Sequence, residues 1–361
     1  MKKLLIILII VTLAVATIFV VPGQREDPVG KPVVKIGVII PLSGNIMTTA
    51  GNIFKTVLQH QEAELEKRDT RYQYKFIVED SQFDSKRTAL ATAKLINRDK
   101  VDAIISFGSR VGNVVSPVAE RHTILHLSAC ASDANVATGK YNFIHWTQPE
   151  KEVEKMAFEI QKRGYKNIAA FVANDAATIA MHNALADKLK ILGIKYKHVT
   201  VNPDAVEFRT EIQKLKQNQP DLYVLLVYEA PIVNLIKQSR EAGITAPFTS
   251  IETFSFLTDA SILEGYWYVD SAEVLPDKLH QITQITGMDN TFAVGNFYDS
   301  MNLLVIAFEN SESPGFAVKA LSEIKEFDGA VGRLTQDSSG IFQSEAVIKQ
   351  IQNGRPVVID R

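Results

Sequence analysis

VVKIGVIIPLSGNIMTTAGNIFKTVLQHQEAELE, residues 33–66, reads as one complete strand-helix unit. Residues 33–40 are a mainly aliphatic run of strand length, interrupted only by Lys35 and Gly37, which fits a buried strand. Past Pro41, Ser43 and Gly44 the period changes, and Ile53, Phe54, Val57, Leu58 and Leu65 recur at helical spacing over 52–66. The alternation continues with strands at 74–78, 101–106 and 124–128 and helices at 85–97 and 113–121. After 142–149 it starts afresh. Helices are predicted at 150–163, 179–192, 208–217 and 231–242, the last stopped by Gly243, and strands at 168–172, 195–201, 221–227 and 248–250. Short aliphatic strands joined through amphipathic helices predict an α/β fold with parallel sheets. A chain of 361 residues is long enough for two such lobes. A long apolar helix over 292–309 and a closing hairpin, 340–350 and 356–359 around Asn353-Gly354, then turn the chain back.

Outward from this frame, the N-terminus stands apart. Met1-Lys2-Lys3 precedes an aliphatic run over 4–21, broken by Thr12 and Thr17 and ended by Pro22-Gly23. Residues 1–23 read as an export signal, with Ala14-Val15-Ala16 as a small-x-small cleavage pattern, or as an uncleaved membrane anchor of sufficient length. Both readings place the rest of the chain on the extracytoplasmic side, behind a short polar linker at 24–32. The only cysteine, Cys130, lies deep in the globular part, so neither a lipid-anchor cysteine nor an internal disulfide is expected. The composition is 46% hydrophobic and 22% charged with a net charge of -2, which provides no field for a nucleic acid and favours a small-molecule partner.

In doubly wound folds ligands meet the loops at the carboxyl ends of strands, and here those loops carry a resemblance. Residues 41–44 (PLSG), Ala50-Gly51, 79–84 (EDSQFD), 114–120 (VVSPVAE), 127–132 (LSACAS), 237–243 (KQSREAG) and 327–332 (FDGAVG) occur in an order similar to that of the leucine/isoleucine/valine-binding branch of the type I periplasmic binding proteins. The resemblance runs from about Val33 to the C-terminus. It implies two doubly wound parallel-sheet lobes joined by a three-crossover hinge, lobe 1 being 33–148 with 276–333 and lobe 2 being 149–275 with 334–361. It further implies a monomer that closes like a Venus flytrap on a free amino acid and passes it to the membrane permease of an ABC importer. Ser109, Ala131 and Ser132 match the family's carboxylate cradle, Glu252 the acid that pairs with the ligand ammonium, and Tyr228, with Glu229 beside it, the aromatic that packs over the ligand. Ala50 and Ala177 replace expected aromatic walls, and Arg110 adds a second possible anion anchor. A ligand sensor tethered by an uncleaved N-terminal helix is the alternative on the same fold, and a hydrolase or transferase ranks last.

Competing chemistry finds less support. His122, His126 and Cys130 recur at every fourth position, yet a helix is expected to end near Arg121 and a strand to follow, so they diverge and no metal is expected. Asp80 and Asp84 read as turn-forming and helix-capping acids, Cys130 as a buried thiol, Trp146 as hinge packing, and Met156 and Phe158 as core. No HExxH, phosphate loop, GxGxxG or GxSxG occurs, and neither a cofactor nor an enzymatic activity is implied.

Overall fold

In the computed structural model, residues 30–44, 47–257, 259–271, 274–286 and 293–360 are described, so the expected export segment at 1–23 and most of the linker lie outside the described residues. Strand β1 (Val33–Ile40) is buried from Ile36 to Ile40, and α1 (Thr48–Glu66) buries Ile53, Phe54, Val57, Leu58 and Leu65, the face its spacing predicts. The first turn of α1 packs tightly against Pro41. A Cβ at Gly51 would lie 1.7 Å from the Pro41 carbonyl oxygen, a contact that only glycine permits. Next come β2 (Gln73–Asp80), α2 (Ser85–Lys94) with a wider π-type turn over Leu95–Asp99, β3 (Ala103–Phe107), α3 (Gly108–His122), β4 (Leu125–Ala129) and β5 (Asn142–His145). Asp80 holds the first turn by accepting from the Leu42 and Gln82 amides at 2.8 and 2.9 Å, and Asp84 caps α2 through the Arg87 amide at 2.9 Å.

The second series is α4 (Pro149–Arg163), β6 (Asn167–Ala173), α5 (Ala176–Ile191), β7 (Lys195–Val201), α6 (Arg209–Lys216), β8 (Leu222–Leu226), α7 (Ala230–Glu241), β9 (Phe248–Thr249) and β10 (Trp267–Asp270). In β6, Ala169, Phe171 and Ala173 enter one apolar cluster while Ile168, Ala170 and Val172 enter another, so helices cover both faces of this sheet. The chain returns through α8 (Pro276–Thr286), α9 (Val294–Glu309), α10 (Ala317–Glu323), β11 (Glu326–Gly329), β12 (Gly332–Gln336) and β13 (Ile341–Gln343), then ends in β14 (Val347–Gln352) and β15 (Arg355–Asp360). Those last two strands form a hairpin around the predicted turn, with φ of +54° at Asn353 and +70° at Gly354. The strand expected over 340–350 is split, because Ile341–Gln343 pairs with β5 and only the part from Val347 on enters the hairpin.

Lobe 1 is an eight-stranded sheet in the order β11-β12-β13-β5-β4-β3-β1-β2, parallel from β13 to β2 and antiparallel at β11 and β12. Lobe 2 holds β7-β6-β8-β9 in parallel, extended through an Ile251 to Val269 bridge to the antiparallel set β10-β14-β15. Both lobes are therefore parallel at the centre, as expected, and each carries antiparallel strands along one edge. The chain passes between the lobes after β5, β10 and β13. The last crossing comes later than a boundary after 333, because Ile341 and Phe342 pair with Ile144 and His145 and are buried as inner-strand residues. At the crossings the buried Thr147 hydroxyl lies 3.1 Å from the Ser271 carbonyl and 3.2 Å from the Ser344 carbonyl, so one side chain touches all three connections.

One side-chain expectation changes. Met156 is buried in α4, but Phe158, two residues on and so on the opposite face, is 59% exposed with the Lys162 ammonium 5.8 Å above its ring. His126 is fully buried in β4, its ring between Ser106 Oγ and Asn142 Oδ1 at 2.8 Å each, and burial pushes its pKa down to about 4, so it is a neutral core histidine.

Candidate functional site

On the lobe 1 side, α3 starts at Gly108, five residues before the predicted 113, and this carries Ser109 into its first turn at the end of β3. Ser109 Oγ accepts from the backbone amides of Ser132 at 3.0 Å and Asp133 at 3.1 Å, drawing the loops after β3 and β4 together. With both lone pairs occupied, the hydroxyl has only its proton left to offer, so Ser109 is a donor site for an acceptor such as a carboxylate. Ala131 is buried between Cys130 and Ser132, and its carbonyl accepts from Gln148 Nε2 at 3.1 Å. Cys130, at φ +64°, and not Ala131, forms the cavity wall at this step.

On the lobe 2 side, Glu252 lies just past β9 with its backbone at φ +59° and its amide donating to the Val269 carbonyl at 2.7 Å. Its side chain reaches across the cleft. Trp146 Nε1 donates to Oε1 at 2.5 Å, and Ser132 Oγ lies 3.3 and 3.4 Å from the two carboxyl oxygens. Glu252 is buried, and desolvation lifts its carboxyl to about 8 against the pull of the hydrogen bonds from Trp146 and Ser132. The cations nearby are already engaged. Arg110 is bound by Asp175 at 2.7 and 2.9 Å, and Lys349 by Asp270 at 2.8 Å. Arg110 is thus an interlobe tie and not a free anion anchor.

Tyr228 follows β8 and packs edge-on against Phe256, ring centroids 5.2 Å apart. Burial, the neighbouring Asp175 and Glu252 together push its phenol up. Glu229 is half-buried at φ +41°, with its carboxyl raised by burial to about 7, and stays outside the cavity. The cavity between these groups has a volume of about 20 Å³ and is walled on its apolar side by Met47, Phe83, Phe107, Ala177, Tyr228 and Phe256. Ser109, Ser132 and Glu252, predicted far apart in sequence, line it together with Trp146. Ala50 is half-buried against the lobe 1 core, and the wall it was expected to trim is supplied by Met47.

A sequence model described as periplasmic binding protein matches residues 33–354. The chain belongs to that family. Its fold is the type I, leucine-binding kind. Similar solved structures include a leucine binding protein from Thermotoga maritima, at 20% identity and a TM-score of 0.82, covering 90% of this chain and 97% of the other. A branched-chain amino acid transporter substrate binding protein from Streptococcus pneumoniae in complex with isoleucine matches at 18% identity and 0.78, covering 91% and 100%. A solute binding protein of an ABC transporter from Rhodopseudomonas palustris, in complex with 3,4-dihydroxybenzoic acid, matches at 15% identity and 0.80, covering 91% and 96%. No curated protein sequence matches significantly. Sequence reasoning about this periplasmic binding protein missed Met47, Phe83, Phe107 and Phe256 as cavity residues, since apolar residues in loops carry no signal that separates cavity wall from core. Trp146, expected as hinge packing, lines the cavity and donates to the central acid.

Proposed function

We propose that this periplasmic binding protein holds an α-amino acid with an apolar side chain between its lobes and presents it, on the extracytoplasmic side, to the permease of an ABC importer. The observation that carries the reading is Glu252: a buried carboxyl, with hydrogen-bond donors on one side and no basic side chain paired with it among the described residues. An isolated buried charge is costly, and a ligand ammonium removes that cost while gaining charge-assisted hydrogen bonds. Ser109 offers its proton to the ligand carboxylate, and Met47, Phe83, Phe107 and Phe256 offer an apolar surface to the side chain. An aromatic acid without an ammonium would instead bring a second negative charge beside Glu252.

The test is a thermal-shift series on residues 32–361 with L-leucine, L-phenylalanine and benzoate. A neutral amino acid is expected to raise the midpoint, since a ligand selective for the folded state stabilises it by about 2.7 kcal/mol at 100 times its Kd. Glu252→Gln should abolish that rise. A rise with benzoate alone, retained in Glu252→Gln, would refute the amino-acid reading.

A further inference from the structure

Glu152 is fully buried in the first turn of α4, directly after the first crossing, while its helix neighbours Glu150 and Glu154 face solvent. Among the described residues, no donor reaches either of its oxygens. What reaches them is the carboxyl of Glu252, and the contact between two acids out of water is a hydrogen bond only when one carries a proton; with both ionised it is repulsive. We propose that Glu152 is a positioning residue for Glu252: in the ligand-free protein it holds a proton that it donates to the Glu252 carboxyl, so that the pair carries at most one negative charge toward a ligand.

The surroundings favour this arrangement. Burial, then Glu252 itself, then Asp270 and Glu150 raise the Glu152 carboxyl well above the ordinary range. Trp146 and Ser132 donate to Glu252, whereas neither oxygen of Glu152 meets a donor among the described residues. The proton therefore resides on Glu152. From the other packed elements, Cys130 and Tyr228 face Glu252 as groups that burial keeps neutral, Asp270 is bound by Lys349 and by Ser255 Oγ at 2.6 Å, and Arg110 is taken by Asp175. The positive end of the α4 dipole works toward ionising Glu152, but a helix terminus is outweighed by complete burial beside a second acid. With Glu152 neutral, a monocation balances the pair, and Glu152 fixes which way the Glu252 carboxylate faces.

This use of the pair rests on Glu252 meeting a ligand cation, but the pair itself is testable without any ligand. At pH 8.5 Glu229, at about 7, and Glu252, at about 8, are mostly ionised, which isolates Glu152. The infrared carbonyl stretch of a protonated carboxyl should be present in the wild-type protein at that pH, absent in Glu152→Gln and retained in Glu252→Gln. Unfolding in concentrated urea at pH 8.5 should release about one proton more from wild type than from Glu152→Gln, because the unfolded carboxyl is ionised there. A wild-type spectrum without the band, or a proton count unchanged in a folded Glu152→Gln, overturns the proposal. Because no amino acid is added, a failure of the amino-acid reading leaves these results unaffected, and loss of the band leaves that reading intact.

Discussion

Glu252, the acid proposed to meet the ligand, is held at a cost to stability. Its carboxyl sits at about 8 in the folded protein against an ordinary 4.5, so the native state binds the proton more tightly than the unfolded chain. The contribution to stability is therefore fully present below about pH 4.5 and is lost as pH rises through 8. In urea unfolding of the ligand-free protein at pH 5, 7 and 9, the wild type should weaken across the series, while Glu252→Gln should flatten the slope and be the more stable protein at pH 9, by on the order of a few kcal/mol. The same variant should lose its amino acid. Position in the chain made this residue legible: Glu252, Ser109, Ser132 and Tyr228 all follow strands, where a doubly wound fold gathers its ligand. Glu152 was not legible. It sits among Glu150 and Glu154 in an acidic first turn that reads as solvated, and only the tertiary packing of α4 makes it buried.

Most of the elements were predicted within a few residues from apolar periodicity, and α3 shows where that reading fails. The expected start at 113 falls just after Gly112, whereas the helix runs through that glycine from Gly108. The reason is close packing: a Cβ at Gly112 would lie 2.8 Å from Val136 Cγ1 and 2.9 Å from Ser128 Oγ. Gly112→Ala sets two effects against each other. Alanine improves helix propensity by about 1 kcal/mol, while overpacking costs about 1–3 kcal/mol. With the nearest atom at 2.8 Å the clash should win, so the variant is expected to be destabilised by about 1 kcal/mol, checked by the urea midpoint. Such a glycine cannot be told from a loop glycine in one sequence, since the atoms it makes room for come from β4 and from the segment after it. The late crossing after β13 has the same origin, because an apolar pair such as Ile341 and Phe342 suits either sheet until its partner strand is known.

Across the whole molecule, the ion pair between Arg110 of α3 and Asp175 at the start of α5 ties the lobes together at the cavity. Arg110 is partly exposed and Asp175 is buried, so removing the guanidinium leaves an unpaired buried acid. Arg110→Gln should populate a more open ligand-free form, seen as a larger radius of gyration in solution scattering, and should weaken amino-acid binding by about tenfold, the equivalent of ~1.4 kcal/mol. Unchanged scattering together with unchanged affinity would remove the pair from the closing mechanism. At the crossings lies Thr147, whose hydroxyl reaches both Ser271 and Ser344. Three connecting chains that met nowhere could bend, twist and shear independently. Clasped at one point, they act as a fulcrum, and the motion of one lobe against the other reduces to a single coordinate, so one pair of spin labels across the mouth should follow the entire stroke.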